Sequence, residues 1–273
     1  MSSPSPDSPD PSTTKSKPKS KSKTITRPPP TSVIYDLTHP TETTITLPEG
    51  STWTSGLHWH ERHREELEVV RGAVWVRVGG GERAVGAVGE GDGVVKVGRG
   101  VVHEWRRAKG VEGDVVVRER SFCVGEGVGE EDEPDVGKSV FFWNVNGIIL
   151  TTSSSDNSST TSNQSFITQR LLPRALFSKM GEYTTLLHLF ILFHELDNYP
   201  VFLDLSLIQS SLSGNVGRTI ERLLTYFILG LAAVVGRVFG LEGVREEFMP
   251  RDLGGVWRER GRMRRRMGRG KME

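Results

Sequence analysis

Between residues 34 and 120 the apolar positions recur at every second residue in short runs, and glycine separates one run from the next. Val74, Val76 and Val78 fall on one side of such a run and Trp75 and Arg77 on the other, the alternation of a strand with one packed face. Stretches 68–78, 94–97 and 115–118 all read this way. Parallel strands need long crossovers, and no helix-length segment lies between these runs, so the pattern predicts antiparallel sheet closed into a small barrel or jelly roll. Beyond residue 166 the pattern changes: 186–193 and 223–235 are apolar throughout, within a part of helical character. As helix, the residues between Arg222 and Arg237 would rise only about 21 Å, against roughly 30 Å of hydrocarbon core. Extended to Leu241, with Arg237 snorkelling, the segment reaches spanning length and the basic end 258–271 is expected on the cytoplasmic side. Burial against the barrel or in an oligomer interface competes with membrane contact through 186–193 and 223–241.

The remaining segments divide the chain. Residues 1–32 are Ser, Pro, Thr and Lys with almost nothing apolar, a composition that predicts a disordered tail. The barrel is expected over 33–125. An acidic connector and a Ser/Thr-rich insertion (151–165) flank an apolar segment within 126–165. Helical extension then covers 166–257 and a basic tail 258–273.

Composition narrows the function. The 273 residues carry 35 basic and 34 acidic side chains, so no overall field favours nucleic acid, and none is expected as a partner. The 31 glycines agree with many tight turns. Cys123 is the only cysteine, which excludes an intramolecular disulfide and a cysteine-based zinc site. The first thirty residues hold no apolar core of a secretory signal, and the expectation is a cytoplasmic protein with membrane association as an option.

The chemistry concentrates in 56–72 and 98–105. In a strand, residues i and i+2 share a face, so His58 and His60 present two imidazoles in one direction, about 7 Å apart at the backbone. Four residues separate His60 from Glu65, enough for a hairpin to bring the carboxylate back, and Gly72 relaxes the next turn. His103, beside a later strand, completes three imidazoles and one carboxylate, a donor set suited to a divalent transition metal: Fe(II), Mn(II), Ni(II), Cu(II) or Zn(II). Glu66 and Glu68 have the opposite strand parity and should face solvent. His63 is placed in the hairpin, with an auxiliary role at most, and His39 is assigned nothing. His188 and His194, six apart, lie on different faces of a helix and form no second site. Trp105 either lines the pocket or belongs to the core, Trp59 faces away, and Arg106 and Arg107 are exposed by default or pair with an acidic substrate.

The spacing His-x-His-x4-Glu-x6-Gly, followed by Gly-x2-His, resembles the two motifs of the cupin superfamily. That resemblance implies a mainly β fold, a cupin-like antiparallel jelly-roll barrel, here with a helical C-terminal extension, and a metal inside it held by His58, His60, Glu65 and His103. Gly98 stands where cupins usually carry Pro and Arg107 where they often carry Asn. The phrases around Trp53–His60 and Val102–Arg107 are similar to small fungal cupin-2 proteins, some named oxidoreductases of polyketide clusters. The function so implied is a metal-dependent oxidoreductase or dioxygenase-like enzyme using one ion, Fe(II) favoured, on a small organic substrate, aromatic or polyketide-like. Glu65 would supply charge and act as catalytic base. The alternative is a non-catalytic metal- or ligand-binding cupin tethered to a membrane by its apolar helices; a homodimer fits either reading.

Overall fold

The computed structural model describes residues 23–87, 93–123, 133–155, 174–204 and 214–270. The lysine-bearing residues before Lys23, the acidic run 126–132, the Ser/Thr-rich 156–165 and the last three residues lie outside the described residues.

In chain order the strands are β1 (Thr24–Arg27), β2 (Val33–Asp36), β3 (Glu42–Leu47), β4 (His58–Trp59), β5 (His63–Arg71), β6 (Ala73–Val78), β7 (Gly81–Gly86), β8 (Val94–Val97), β9 (His103–Arg107), β10 (Val115–Cys123), β11 (Glu133–Pro134) and β12 (Tyr199–Pro200). They form two antiparallel sheets. The larger runs β1-β2-β3-β10-β5-β8 with β11 on β10, and the smaller runs β12-β4-β9-β6-β7. This two-sheet arrangement is a jelly-roll barrel. Alternation decides its faces: Val69, Val74, Val115, Val117 and Ile45 are fully buried between the sheets, while Glu42, Glu68 and Arg120 pair on the outside. Gly72 turns β5 into β6 at φ +77°, and an added Cβ would meet Val115 at 3.0 Å, so only glycine makes this turn without strain.

Four helices follow: α1 (Gly137–Ser155), α2 (Arg174–Glu195), α3 (Gly214–Phe239) and α4 (Arg251–Gly270). Helix α1 is apolar on nearly every side, and it is enclosed accordingly between the larger sheet, α2 and the turn Glu246–Phe248. Its Phe142 ring packs on Tyr35 of β2 with centroids 4.7 Å apart. Gly147 lets the Phe248 ring sit where a Cβ would be only 2.3 Å from it.

Several boundaries differ from the expectation. The ordered sheet starts at Thr24, inside the stretch assigned to a disordered tail, because Thr24–Arg27 gains a full ladder against β2 and buries Ile25. The apolar segment within 126–165 is helix α1, and the helix runs to Ser155, into the polar stretch placed from 151. The basic tail from 258 continues α4 to Gly270. The helical extension also returns one strand to the barrel: β12, with Pro200, pairs with β4 at the edge of the smaller sheet, the position where a strand tolerates proline. Lastly, β4 and β5 are not a hairpin. They belong to different sheets, so the chain between His60 and Glu65 crosses the barrel instead of folding back within one sheet.

Candidate metal centre

The crossing sets the geometry. His58 in β4 and His103 at the start of β9 are direct cross-strand partners and point into the barrel from the smaller sheet. His60 follows His58 by two residues. Glu65 approaches from β5 of the facing sheet. One ligand atom from each of the four lies within 4.8 Å of the others, and all four residues are buried.

The hydrogens of the three rings are assigned by their neighbours. Nδ1 of His58 lies 2.8 Å from the Gly56 carbonyl, Nδ1 of His60 2.6 Å from the Asp197 carbonyl, and Nδ1 of His103 2.9 Å from the Val101 carbonyl. A carbonyl oxygen only accepts, so each Nδ1 donates, and His58 and His60, when neutral, keep a lone pair on Nε2. Burial, with the neighbouring imidazoles His103 and His60, holds His58 well below the usual histidine range. Burial also outweighs the opposing pull of Glu65 to bring His60 down to about 4. Both are therefore neutral near pH 7.

These rings face a carboxylate. Nε2 of His60 is 2.9 Å from Oε1 of Glu65, and Nε2 of His103 is hydrogen-bonded to Oε2 at 3.1 Å. The buried Nε2 of His60 has no hydrogen-bond partner despite that proximity, because the angle is wrong for one. The unpartnered Nε2 of His60 thus meets the Glu65 carboxylate as acceptor to acceptor, and a cation bound between them would satisfy both. The donor set of three imidazole nitrogens and one carboxylate fits a divalent transition ion.

Sequence reasoning missed three residues around this quartet. Lys138, in the first turn of α1, sends its ammonium into the barrel, where it pairs with Oε1 of Glu65 and, at 3.2 Å, with Oε2 of Glu119. Trp105 donates its Nε1–H to the other Glu119 oxygen at 2.6 Å and packs on Trp53 in the core. Burial raises the Glu65 carboxyl, but the Lys138 ammonium, with the hydrogen bond to His103, overcomes that and holds it well below the ordinary carboxylate range. Burial lowers Lys138, and Glu119 and Glu65 more than reverse it. A lone lysine ahead of an apolar helix was the one available signal.

The third missed residue is Asp197. It ends α2 in the left-handed conformation at φ +59°, and the Asn198 N–H donates to the Phe193 carbonyl at 2.9 Å, as in a Schellman cap. Its carboxylate accepts from the backbone N–H of Glu61 at 3.1 Å, that of Arg62 at 2.8 Å, and Nδ1 of His63 at 2.9 Å. Burial would raise its carboxyl; His63 and these donors bring it down to about 2. His63 therefore opens β5 beside the quartet and is not part of a hairpin turn.

Other residues take plainer places. Trp59 is fully buried with its Nε1–H donating to Glu61, and Arg106 stacks over Trp75. Arg107 donates to the carbonyls of Leu47, Val111 and Gly113, fixing a loop. Glu66 and Glu68 lie on the outer face with Arg64, Arg118 and Arg120. His188 and His194 lie on α2 and His39 in the loop between β2 and β3, all outside the two buried clusters.

Beside His58 a cavity of about 220 Å³ opens between the barrel, α1 and α2. Its walls include Tyr35, Trp53, Phe141, Phe142 and Phe193, with Lys138, Glu119 and Arg27 as the charged groups.

Two antiparallel sheets with a His-x-His-x4-Glu and a later His converging between them are the arrangement that the cupin resemblance implies. No family model and no curated protein matches the chain. Among solved structures it is similar to the Schizosaccharomyces pombe Cnp3 cupin domain, at 13% identity over 37% of this chain and 62% of that one, TM-score 0.26. It is also similar to a predicted oxalate decarboxylase from Thermotoga maritima (20%, 34% and 80%, TM-score 0.28) and to KdgF from Halomonas sp. (18%, 36% and 85%, TM-score 0.27). The chain thus spans less than two thirds of the Cnp3 domain, and each likeness covers little over a third of this chain at most.

Proposed function

We propose that this protein is a metal-dependent cupin enzyme, an oxidoreductase of dioxygenase type acting on a small organic substrate, with one divalent ion, Fe(II) by preference, held by His58, His60, Glu65 and His103. The observation that carries the reading is the convergence of three imidazoles and a carboxylate, one ligand atom from each within 4.8 Å of the others, in a buried site where the Nε2 of His60 has no hydrogen-bond partner. The ion supplies Lewis acidity and, as iron, redox capacity towards dioxygen. The chain supplies the rest. The carbonyls of Gly56, Val101 and Asp197 fix the three imidazoles in one tautomer. Lys138 and His103 orient Glu65, whose carboxylate is the candidate proton acceptor. The aromatic walls exclude water and receive the substrate, whose size is bounded by a cavity smaller than the ~300–1,000 Å³ of typical drug-sized pockets. Protein purified from metal-replete medium without chelator should carry one equivalent of transition metal by elemental analysis. The double variant His58→Ala/His60→Ala should carry none. Metal retained by that variant assigns the ion to other residues.

A second reading is favoured by α3. Its Glu221, Thr225, Leu229, Ala232 and Gly236 face inward, while Val216, Ile220, Leu223, Phe227, Leu231, Val234 and Val238 form an exposed apolar row on the other side. By length and composition Val216–Phe239 is apolar enough to cross a membrane, with 22% of the window buried. Arg222 bonds the Gly100 carbonyl at 2.6 Å and Thr225 the Pro200 carbonyl at 2.9 Å, so the helix stays on the barrel and its outer row suits lying on a lipid surface rather than spanning one. In this reading the barrel is a tethered binding module. Co-sedimentation of the full chain with phosphatidylserine-containing vesicles, lost in Leu223→Ser/Phe227→Ser, supports it. A dimer abolished by the same variant assigns the row to a second copy.

A further inference from the structure

We propose that the cavity beside the metal centre selects a small aromatic carboxylate, held between Lys138 and Arg27 at the two ends of an aromatic floor; this rests on the metal reading above. The floor is made by Phe142 and Tyr35, whose centroids are 4.7 Å apart. Lys138 Nζ stands 5.8 Å from the Phe142 centroid, and the Arg27 guanidinium 5.6 Å from that of Tyr35. Both cations therefore border the same apolar surface from opposite ends, and both line the cavity. Arg27 is held there by a neutral partner: its Nε–H donates to Oδ1 of Asn146 at 2.6 Å, and Asn146 is itself anchored to the Phe142 carbonyl.

Charge determines what the cavity accepts. Glu65, Glu119 and Asp197 are balanced by Lys138, Arg27 and Arg62, and an imidazole that ligates an ion through Nε2 while its Nδ1–H is bound to a carbonyl carries no charge. A divalent ion bound to the quartet therefore leaves the enclosure with two uncompensated positive charges. Among the described residues no further carboxylate lines this cavity to offset them. Excess charge in a buried, ring-lined space is costly unless a counter-charge enters with the ligand. A planar anion supplies that charge and fills the apolar walls; a neutral ring supplies only the second. Because the excess arises from the ion, ligand and ion strengthen each other's binding by the same factor.

The test uses the full chain loaded with Zn(II), so that no turnover intervenes, and three probes of one shape: benzoate, benzamide and benzylamine. Calorimetry and the fluorescence of Trp53 and its neighbours follow binding, and zinc content is measured on the same samples. Benzoate should bind at least tenfold tighter than benzamide, with benzylamine weakest, and should slow zinc loss to a chelator. Arg27→Gln, which alters none of the four candidate ligands, should keep its zinc and lose most of the preference for benzoate. Lys138→Met should lose the preference as well, with circular dichroism reporting whether it still folds. Equal binding of benzoate and benzamide by zinc-loaded protein, or an unchanged preference in Arg27→Gln, overturns the proposal alone. Absence of zinc in the unaltered protein overturns the metal reading and this inference with it.

Discussion

Two histidine clusters share His60 and differ in how their hydrogens are distributed. Around Asp197 each oxygen meets a donor: two backbone N–H groups and the Nδ1–H of His63. Around Glu65 stand Lys138, the hydrogen-bonded Nε2 of His103 and the Nε2 of His60, which has no hydrogen-bond partner. Both clusters bring three or more potential ligand atoms within 4.8 Å, so proximity does not separate them. The unpartnered Nε2 of His60, which faces Glu65, does. The first is a completed hydrogen-bond network that locks a loop; the second leaves a buried acceptor and could hold a metal ion.

The largest effect expected from that contrast is at the quartet itself. Glu65→Gln removes the anion while keeping the shape, and metal content should fall by more than tenfold; a variant that keeps full occupancy would equate the two clusters. Next comes Asp197→Ala, which removes three accepted hydrogen bonds and places alanine at a positive φ. A stability loss of about 2–4 kcal/mol in urea melts is expected. Asp197→Asn tolerates the backbone and keeps the carbonyl that orients His60, so it should weaken metal retention by only ~10-fold, readable as faster loss to a chelator. Gly147→Ala forces a methyl into the Phe248 ring and should cost about 1–3 kcal/mol while leaving metal stoichiometry unchanged, separating packing from ligation. Smallest is Glu66→Gln, on the outer face beside the ligand Glu65. Metal content should stay the same and stability should shift by under about 1 kcal/mol.

What was legible in the sequence follows from the range of the interactions. His58, His60 and Glu65 could be read because strand periodicity fixes faces locally, and His103 because the motif places it by spacing from Gly100. Lys138, Glu119 and Asp197 could not. Glu119 matters only because β10 pairs with β5, Lys138 only because α1 caps that sheet, and Asp197 only because α2 ends against the loop after β4. Each depends on a contact across many residues with no local pattern. The hairpin expected between His60 and Glu65 failed for the same reason: spacing limits how far a chain can reach but does not say which sheet receives it.

The strand Tyr199–Pro200 and the carbonyl of Asp197 are lent to the barrel by the part of the chain that composition marks as an appendage. Cutting the protein before α2 would therefore bare the hydrogen-bonding edge of β4 and free the ring of His60 to turn. The barrel and its helices depend on one another, and a graft or truncation that keeps only the cupin-like portion would carry the buried His/Glu cluster without the part that aims the ring of His60.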